Sequence, residues 1–125
     1  MFHIDNRSRV PIHQQLQAQI VRYVSLGLLL PDQQLPSVRA MAQQLGINPN
    51  TVQKAYRQLE EEGLIQSRPG AGSHITASPQ QVEDIRQELF RSEVQETVAA
   101  MKRMGLKKEE AVALLRQLYD EEERE

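Results

Sequence analysis

The side chains best suited to chemistry in this sequence are polar and basic groups repeated at helical spacing. Asn50, Lys54 and Arg57 recur at intervals of four and three residues, so they share one face of a predicted helix. Thr51 and Gln53 flank that face. Amide, hydroxyl and cationic side chains on one helix face can hydrogen-bond to base edges and to phosphates. This pattern is typical of nucleic-acid recognition when a suitable motif holds the helix.

Two predicted helices joined by a tight turn would hold these side chains. The first begins after Ser37, a good N-cap, and ends at Gly46, which can adopt a left-handed backbone. The second begins with Asn48 as its N-cap and Pro49 in its first position, where a missing N–H is no loss. The predicted buried stripes are Val38, Met41, Ala42 and Leu45 in the first helix, and Val52, Ala55, Tyr56 and Leu59 in the second. Together these features predict a helix-turn-helix.

A β-hairpin is predicted directly after the second helix. Two short segments, residues 64–68 and 73–76, flank a turn of proline and glycine, and a hairpin in this place makes a winged helix. Gly70 and Gly72 would let the wing backbone approach another molecule closely, although a tight turn alone would also explain them. A nucleic-acid contact is the interpretation we favour. Arg68, beside the turn, is a further candidate for that contact.

The C-terminal part of the sequence predicts two helices with apolar faces. A long helix starts near Pro79 and ends at Gly105, and a second helix follows. No sheet or third helix remains to cover these faces, so a second copy of the chain is the economical cover. The alternative is that both helices fold back on the winged helix of the same chain. The predicted dimerisation residues are Ile85, Leu89, Val94, Val98, Met101, Leu115, Leu118 and Tyr119.

Charge divides the chain in the same way. Residues 1–76, the predicted winged helix domain, hold seven Lys/Arg and five Asp/Glu. Residues 77–125, the predicted dimerisation region, hold eight Lys/Arg and twelve Asp/Glu. The net charge of −2 therefore comes from the C-terminal part. The first part is only mildly basic, which by itself is weak evidence for a phosphate partner.

The sequence offers no constellation for catalysis or for a metal. It has no cysteine, and its three histidines, at positions 3, 13 and 74, lack metal-ligand spacing. No nucleophile–base pair is evident, and the Gly-x-Gly of the hairpin turn lacks the strand-to-helix context of a phosphate loop. The N-terminus has no signal-peptide pattern, and no apolar run could span a bilayer. We therefore expect no enzyme activity, no cofactor and no metal, and a cytoplasmic location.

Residues 11–75 resemble the GntR family of bacterial transcription regulators. The resemblance is carried by Leu35-Pro36-Ser37-Val38-Arg39, Asn48-Pro49-Asn50-Thr51-Val52, Leu59-Glu-Glu-Glu-Gly-Leu-Ile65 and Gly70-Ala-Gly-Ser73. These blocks fall in the family's order and spacing, and their combination is specific although no single block is. The short two-helix tail looks like that of the YtrA-type subfamily, whose members lack a large effector domain.

The resemblance implies a dimer on a palindromic operator, with the second helix in the major groove and the hairpin at the minor groove. Arg39 corresponds to the family's base-reading arginine, which can bond guanine with two donors. Ser37, like the helix residues Asn50 and Thr51, matches a position that contacts phosphates or base edges. The two wing glycines match the wing tip.

Five residues depart from the family pattern. Pro49 stands where many members outside the subfamily have arginine. Gln53 occupies another position that is often arginine, and glutamine prefers adenine, so sequence preference should differ. Pro69 and Ala71 replace wing residues that are often basic, which should weaken minor-groove attraction. Asp32 stands where the family often has glycine, which puts the preceding turn in question.

We therefore expect a mainly α protein with a small β-hairpin, a winged helix-turn-helix followed by a two-helix dimerisation tail. The expected function is that of a bacterial sequence-specific transcriptional regulator, a repressor that binds operator DNA as a homodimer; a small-molecule effector is left open. The predicted DNA-binding residues are Ser37, Arg39, Asn50, Thr51, Gln53, Lys54, Arg57, Arg68, Gly70 and Gly72. The alternative is a winged helix used for protein–protein interaction, which the mild charge favours and Arg39 disfavours.

Overall fold

The computed structural model describes residues 2–123, which form five helices and one antiparallel hairpin. The elements are α1 (Ile12–Ser25), α2 (Val38–Leu45), α3 (Pro49–Glu61), β1 (Ile65–Arg68), β2 (Gly72–Ile75), α4 (Pro79–Arg103) and α5 (Lys108–Glu123). This order confirms the predicted winged helix followed by a two-helix tail. No helix within residues 2–123 is long and apolar enough to cross a membrane.

The caps predicted for both ends of α2 and for the start of α3 are confirmed. The Ser37 hydroxyl oxygen accepts a hydrogen bond from the Ala40 amide at 3.0 Å, which caps α2. Gly46 ends α2 with a φ of 65°, a left-handed conformation that costs glycine little. The Asn48 side chain accepts from the Asn50 amide at 2.8 Å, and Pro49 is the first residue of α3. Local side chains and backbone conformation therefore define the turn between α2 and α3.

The core of the first compact unit, which ends at Gln87, lies between the first three helices and the hairpin. α3 is its central element, because it packs against α1, α2 and β1. The apolar residues predicted for its inner face are all buried: Val52, Ala55, Tyr56 and Leu59. Full burial of one aliphatic side chain contributes roughly 1.5–3 kcal/mol, so this stripe fixes which face of α3 remains outside.

The hairpin is extended by a third segment that the sequence did not predict. β1 and β2 pair from Ile65 opposite Ile75 to Arg68 opposite Gly72. On the other edge of β2, the Leu35 amide donates to the Ser73 carbonyl at 2.8 Å. The Ile75 amide donates to the Gln33 carbonyl at 2.9 Å on the same edge. The connection between α1 and α2 therefore runs along the wing and ties it to the start of α2.

The two compact units divide the chain after Gln87, inside α4, whereas the sequence predicted a boundary at residue 77. The reason is that Val82 and Ile85, in the first turns of α4, pack against the winged helix core. Ile85, which we assigned to dimerisation, is therefore partly covered within a single chain. The second unit begins at Glu88 and contains the rest of α4 and all of α5.

Candidate nucleic-acid interface

The outer face of α3 presents the polar residues that the sequence predicted. Asn50, Gln53, Lys54 and Arg57 are exposed, and Thr51 is half-buried. They lie opposite the buried stripe of the same helix, because the two sets alternate with helical periodicity. The face combines two amides, a hydroxyl and two cations. Such a set can both hydrogen-bond to base edges and bind phosphates.

Arg39 is exposed on α2, in the second position of that helix. Within residues 2–123 its guanidinium has no hydrogen-bond or ion-pair partner, so its five donors are available to a ligand. Ser37, two residues earlier, uses its hydroxyl oxygen as the cap of α2. Its hydroxyl proton can still be donated to a phosphate, so capping and DNA contact are compatible.

A buried tyrosine couples the start of α2 to α3. The Tyr56 hydroxyl donates to the Pro36 carbonyl at 2.7 Å, and the side chain is 4% exposed. Burial raises the pKa of Tyr56 well above its usual range, because the charged phenolate would lose its hydration. The hydroxyl is thus held as a neutral donor. The bond fixes the segment that leads into Ser37 and Arg39 against the helix that carries the polar face.

The two wing glycines have different structural roles. Both have positive φ, 74° at Gly70 and 73° at Gly72. A Cβ at Gly70 would meet no atom within 4 Å, whereas a Cβ at Gly72 would lie 2.9 Å from Nε2 of Gln34. The same Nε2 donates to the Ala71 carbonyl at 2.8 Å. Positive φ therefore accounts for glycine at both positions; at Gly72 the Gln34 side chain also approaches closely, whereas Gly70 leaves open space at the tip.

Arg68 is engaged by a residue far away in sequence. Its guanidinium donates to Oδ1 of Asp32 at 3.0 Å. Asp32 has a φ of 64°, so the aspartate adopts the left-handed turn for which the family often uses glycine. No pattern in the sequence indicates this pair, since 36 residues separate its members. The structure thus keeps the turn and adds a carboxylate beside the wing.

His13 of α1 borders the face of α3, which the sequence did not indicate. Desolvation first, and then the nearby ammonium of Lys54, lower the pKa of His13 below its usual range. The first turn of α1 therefore lies close to Lys54. Glu60, at the other end of α3, turns toward the wing, where its Oε1 accepts from the Ser67 amide at 2.9 Å.

Most of the predicted dimerisation residues of the second unit are exposed apolar side chains. Val94 is 59% exposed and Tyr119 is 66% exposed, while Leu89 and Met101 are half-buried. Val98, Leu115 and Leu118 are also exposed. The side chains of Val94, Val112, Leu115 and Tyr119 line a groove of about 560 Å³ between α4 and α5. Neither helix has a fully buried residue, so the second unit lacks a buried apolar core within a single chain.

The described part of the chain holds no cluster of three or more histidine and acidic residues able to bind a metal. The functional groups that it does bring together are hydrogen-bond donors and cations on the surface of α2, α3 and the wing.

Comparison with known proteins identifies the family that the sequence motifs resemble. The chain matches the bacterial regulatory proteins of the gntR family over residues 12–75. It is 38% identical over 109 residues to the uncharacterized HTH-type transcriptional regulator YhcF of Bacillus subtilis, spanning 86% of this chain and 90% of that protein. It is 43% identical over 76 residues to the HTH-type transcriptional repressor YtrA of the same organism, spanning 61% of this chain and 58% of that protein.

Solved structures agree in fold. A GntR family transcriptional regulator from Listeria monocytogenes superposes with a TM-score of 0.78 at 27% identity, over 91% of this chain and 98% of that one. The DNA-binding domain of AraR, solved in complex with an operator, superposes with a TM-score of 0.52 at 28% identity. That match covers 61% of this chain and 93% of the AraR chain.

A winged helix with a polar outer helix and an available arginine defines a sequence-specific DNA-binding regulator of transcription. The chain belongs to the GntR family of bacterial transcription regulators, which confirms the resemblance of its motifs. The similarity to YtrA agrees with the YtrA-type assignment.

Proposed function

We propose that the protein is a repressor that binds a palindromic operator as a homodimer in the bacterial cytoplasm, without catalysing a reaction. The observations that carry the proposal are the polar, basic outer face of α3 and the exposed Arg39 on α2, which packs against α3. The name of YtrA, a transcriptional repressor, supports the sign of regulation. The relatives are named as regulators rather than enzymes, which supports a function of binding alone.

The contacts divide into two groups by chemistry. Arg39 reads a guanine through two donors, and Gln53 favours an adenine, so these two side chains supply specificity. Lys54 and Arg57 bind phosphates and supply affinity that falls as salt rises. Asn50 and Thr51, in the first turn of α3, lie where backbone amides and side chains together can hold a phosphate.

The second unit supplies the dimer. Its exposed apolar residues are too many for a single chain to leave in water, and two copies would bury them against each other. A twofold dimer would present two copies of α3 to half-sites about one helical turn apart. The palindromic operator follows from that symmetry.

An effector remains a separate part of the proposal. An apolar cavity of about 290 Å³ lies in the first unit, where α1 ends and α4 begins. Val24, Leu29, Pro31, Ile75 and Val82 are among its lining residues. Its size suits a small apolar molecule. A ligand there would contact the beginning of α4.

The test is footprinting on the DNA upstream of the protein's own gene, combined with transcription in vitro. We expect two symmetric protected half-sites about one helical turn apart, and less transcript as protein is added. Light scattering of the protein–DNA complex should give two chains per duplex. One chain per duplex would contradict the dimer, more transcript would contradict repression, and no binding to any duplex would favour a protein–protein module.

A further inference from the structure

The wing of this protein has one permanently charged basic side chain, and that side chain already forms an ion pair. Among residues 64–76, Arg68 is the only lysine or arginine. Its guanidinium donates to the Asp32 carboxylate at 3.0 Å. The pair places one negative charge against the one positive charge of the wing. A wing whose one arginine is neutralised in this way attracts phosphates weakly, in a domain whose total charge is only mildly positive.

The backbones on both sides of the pair are held in place by hydrogen bonds, so a change of partner requires only rotation of side chains. The residue before it, Ser67, donates its amide to Glu60, and the Arg68 carbonyl accepts from the Ala71 amide at 2.9 Å. The Asp32 amide donates to the Ile75 carbonyl at 2.8 Å. The left-handed backbone of Asp32, with its φ of 64°, is the conformation in which the carboxylate is presented to Arg68.

The pair is accessible to a competing anion. The Arg68 side chain is 41% exposed and the Asp32 side chain is 79% exposed. Exposed ion pairs are weak because water screens them, so a phosphate can compete for the guanidinium. Moving Arg68 to a phosphate would leave the Asp32 carboxylate unpaired near the DNA, where it repels the backbone. Transfer of the Arg68 guanidinium from Asp32 to a phosphate therefore gains little free energy while the Asp32 carboxylate stays nearby.

We propose that Asp32 is an affinity-setting residue: it holds the Arg68 side chain in an ion pair and thereby suppresses phosphate binding by the wing. Recognition then depends on Arg39 and α3, which read sequence, rather than on a basic wing, which binds any duplex. The inference rests on the DNA-binding function proposed above.

The test substitutes Asp32→Asn, which removes the charge and keeps both the size and the tolerance for positive φ. Asp84→Asn is the matched control. Asp84 lies on α4 in the same compact unit and is exposed, and its Oδ1 accepts from Gln80, an interaction that asparagine can keep. Both variants change net charge equally. Affinity is measured for the operator and for a random duplex across a salt series.

We expect Asp32→Asn to bind both duplexes roughly two- to five-fold more tightly than Asp84→Asn, the range that corresponds to an exposed ion pair. Its salt dependence should be steeper by about 0.9 in the slope of log K against log salt, which is one added phosphate contact. With Arg68→Ala already present, less than half of the logarithmic gain should remain, because the cation that Asp32 restrains is absent.

The inference is overturned if Asp32→Asn behaves like Asp84→Asn, or if its full gain persists beside Arg68→Ala. The second result would mean that Asp32 repels DNA directly and does not act through Arg68. Unchanged melting temperatures establish that the folds are intact. Failure of the wild-type chain to bind either duplex would instead refute the DNA-binding function and this inference with it. Wild-type binding without a change in Asp32→Asn refutes this inference alone.

Discussion

The wing glycines provide a matched pair for measuring how the segment before α2 supports the wing. Gly70 and Gly72 have nearly the same backbone conformation, with φ of 74° and 73°. An alanine in the left-handed region costs about 1–2 kcal/mol, offset by roughly 0.4–1 kcal/mol through the lower entropy of the unfolded chain. Gly70→Ala has no other cost, since its Cβ meets nothing within 4 Å. We expect it to lower the free energy of unfolding by about 1 kcal/mol.

Gly72→Ala carries the same backbone cost and one more. Its Cβ would stand 2.9 Å from Nε2 of Gln34, so the amide must swing away and lose its bond to the Ala71 carbonyl. That bond contributes roughly 0.5–1.5 kcal/mol. We therefore expect a loss of about 2 kcal/mol, measured by urea denaturation of both variants.

A Gln34→Ala background isolates the contact. There the amide is absent, and Gly72→Ala should cost the same as Gly70→Ala. Equal costs of the two glycine substitutions in the wild-type background would refute the contact between Gln34 and the wing. So would a difference between them that survives removal of Gln34.

Two further predictions concern α3 and the tail. Tyr56→Phe should lower the free energy of unfolding by about 1 kcal/mol near neutral pH, since the Pro36 carbonyl loses its donor. Because the pKa of Tyr56 is raised on folding, wild-type stability is fully present below the unfolded pKa of about 10 and falls as the pH rises above it. The urea midpoint of Tyr56→Phe should therefore depend less on pH in that range than the wild-type midpoint does. Parallel plots of midpoint against pH for the two proteins would contradict the buried hydroxyl. Val94→Glu should convert the proposed dimer to a monomer by light scattering, whereas Gln95→Glu, at the exposed neighbouring position, should not. A dimer that survives Val94→Glu would exclude this face as the interface.

Features set by local sequence were predictable. Ser37, Gly46, Asn48 and Pro49 act within a turn of their own helices, so their types determine where α2 begins and ends and where α3 begins. The buried and exposed faces of α3 followed from spacing in the same way. For this reason the outer face, with its amides and cations, could be assigned from the sequence.

Contacts across the chain were not predictable. Asp32 and Arg68 are 36 residues apart, and Gln34 reaches Ala71 across 37, so no periodicity relates them. A helical pattern also shows that α4 has an apolar face but not what covers it. Ile85 illustrates this limit, because it packs against the winged helix core although its spacing matches the exposed residues further along α4.

The most direct test of DNA recognition is the affinity of Arg39→Ala for operator and random duplexes, with Arg103→Ala as a control. Arg103 is exposed at the end of α4, in the second unit, and its loss removes the same charge. Operator binding by Arg39→Ala should fall roughly 5- to 150-fold, corresponding to about 1–3 kcal/mol, with a smaller loss on random DNA. The control should retain operator affinity. Equal weakening on both duplexes would contradict base reading by Arg39.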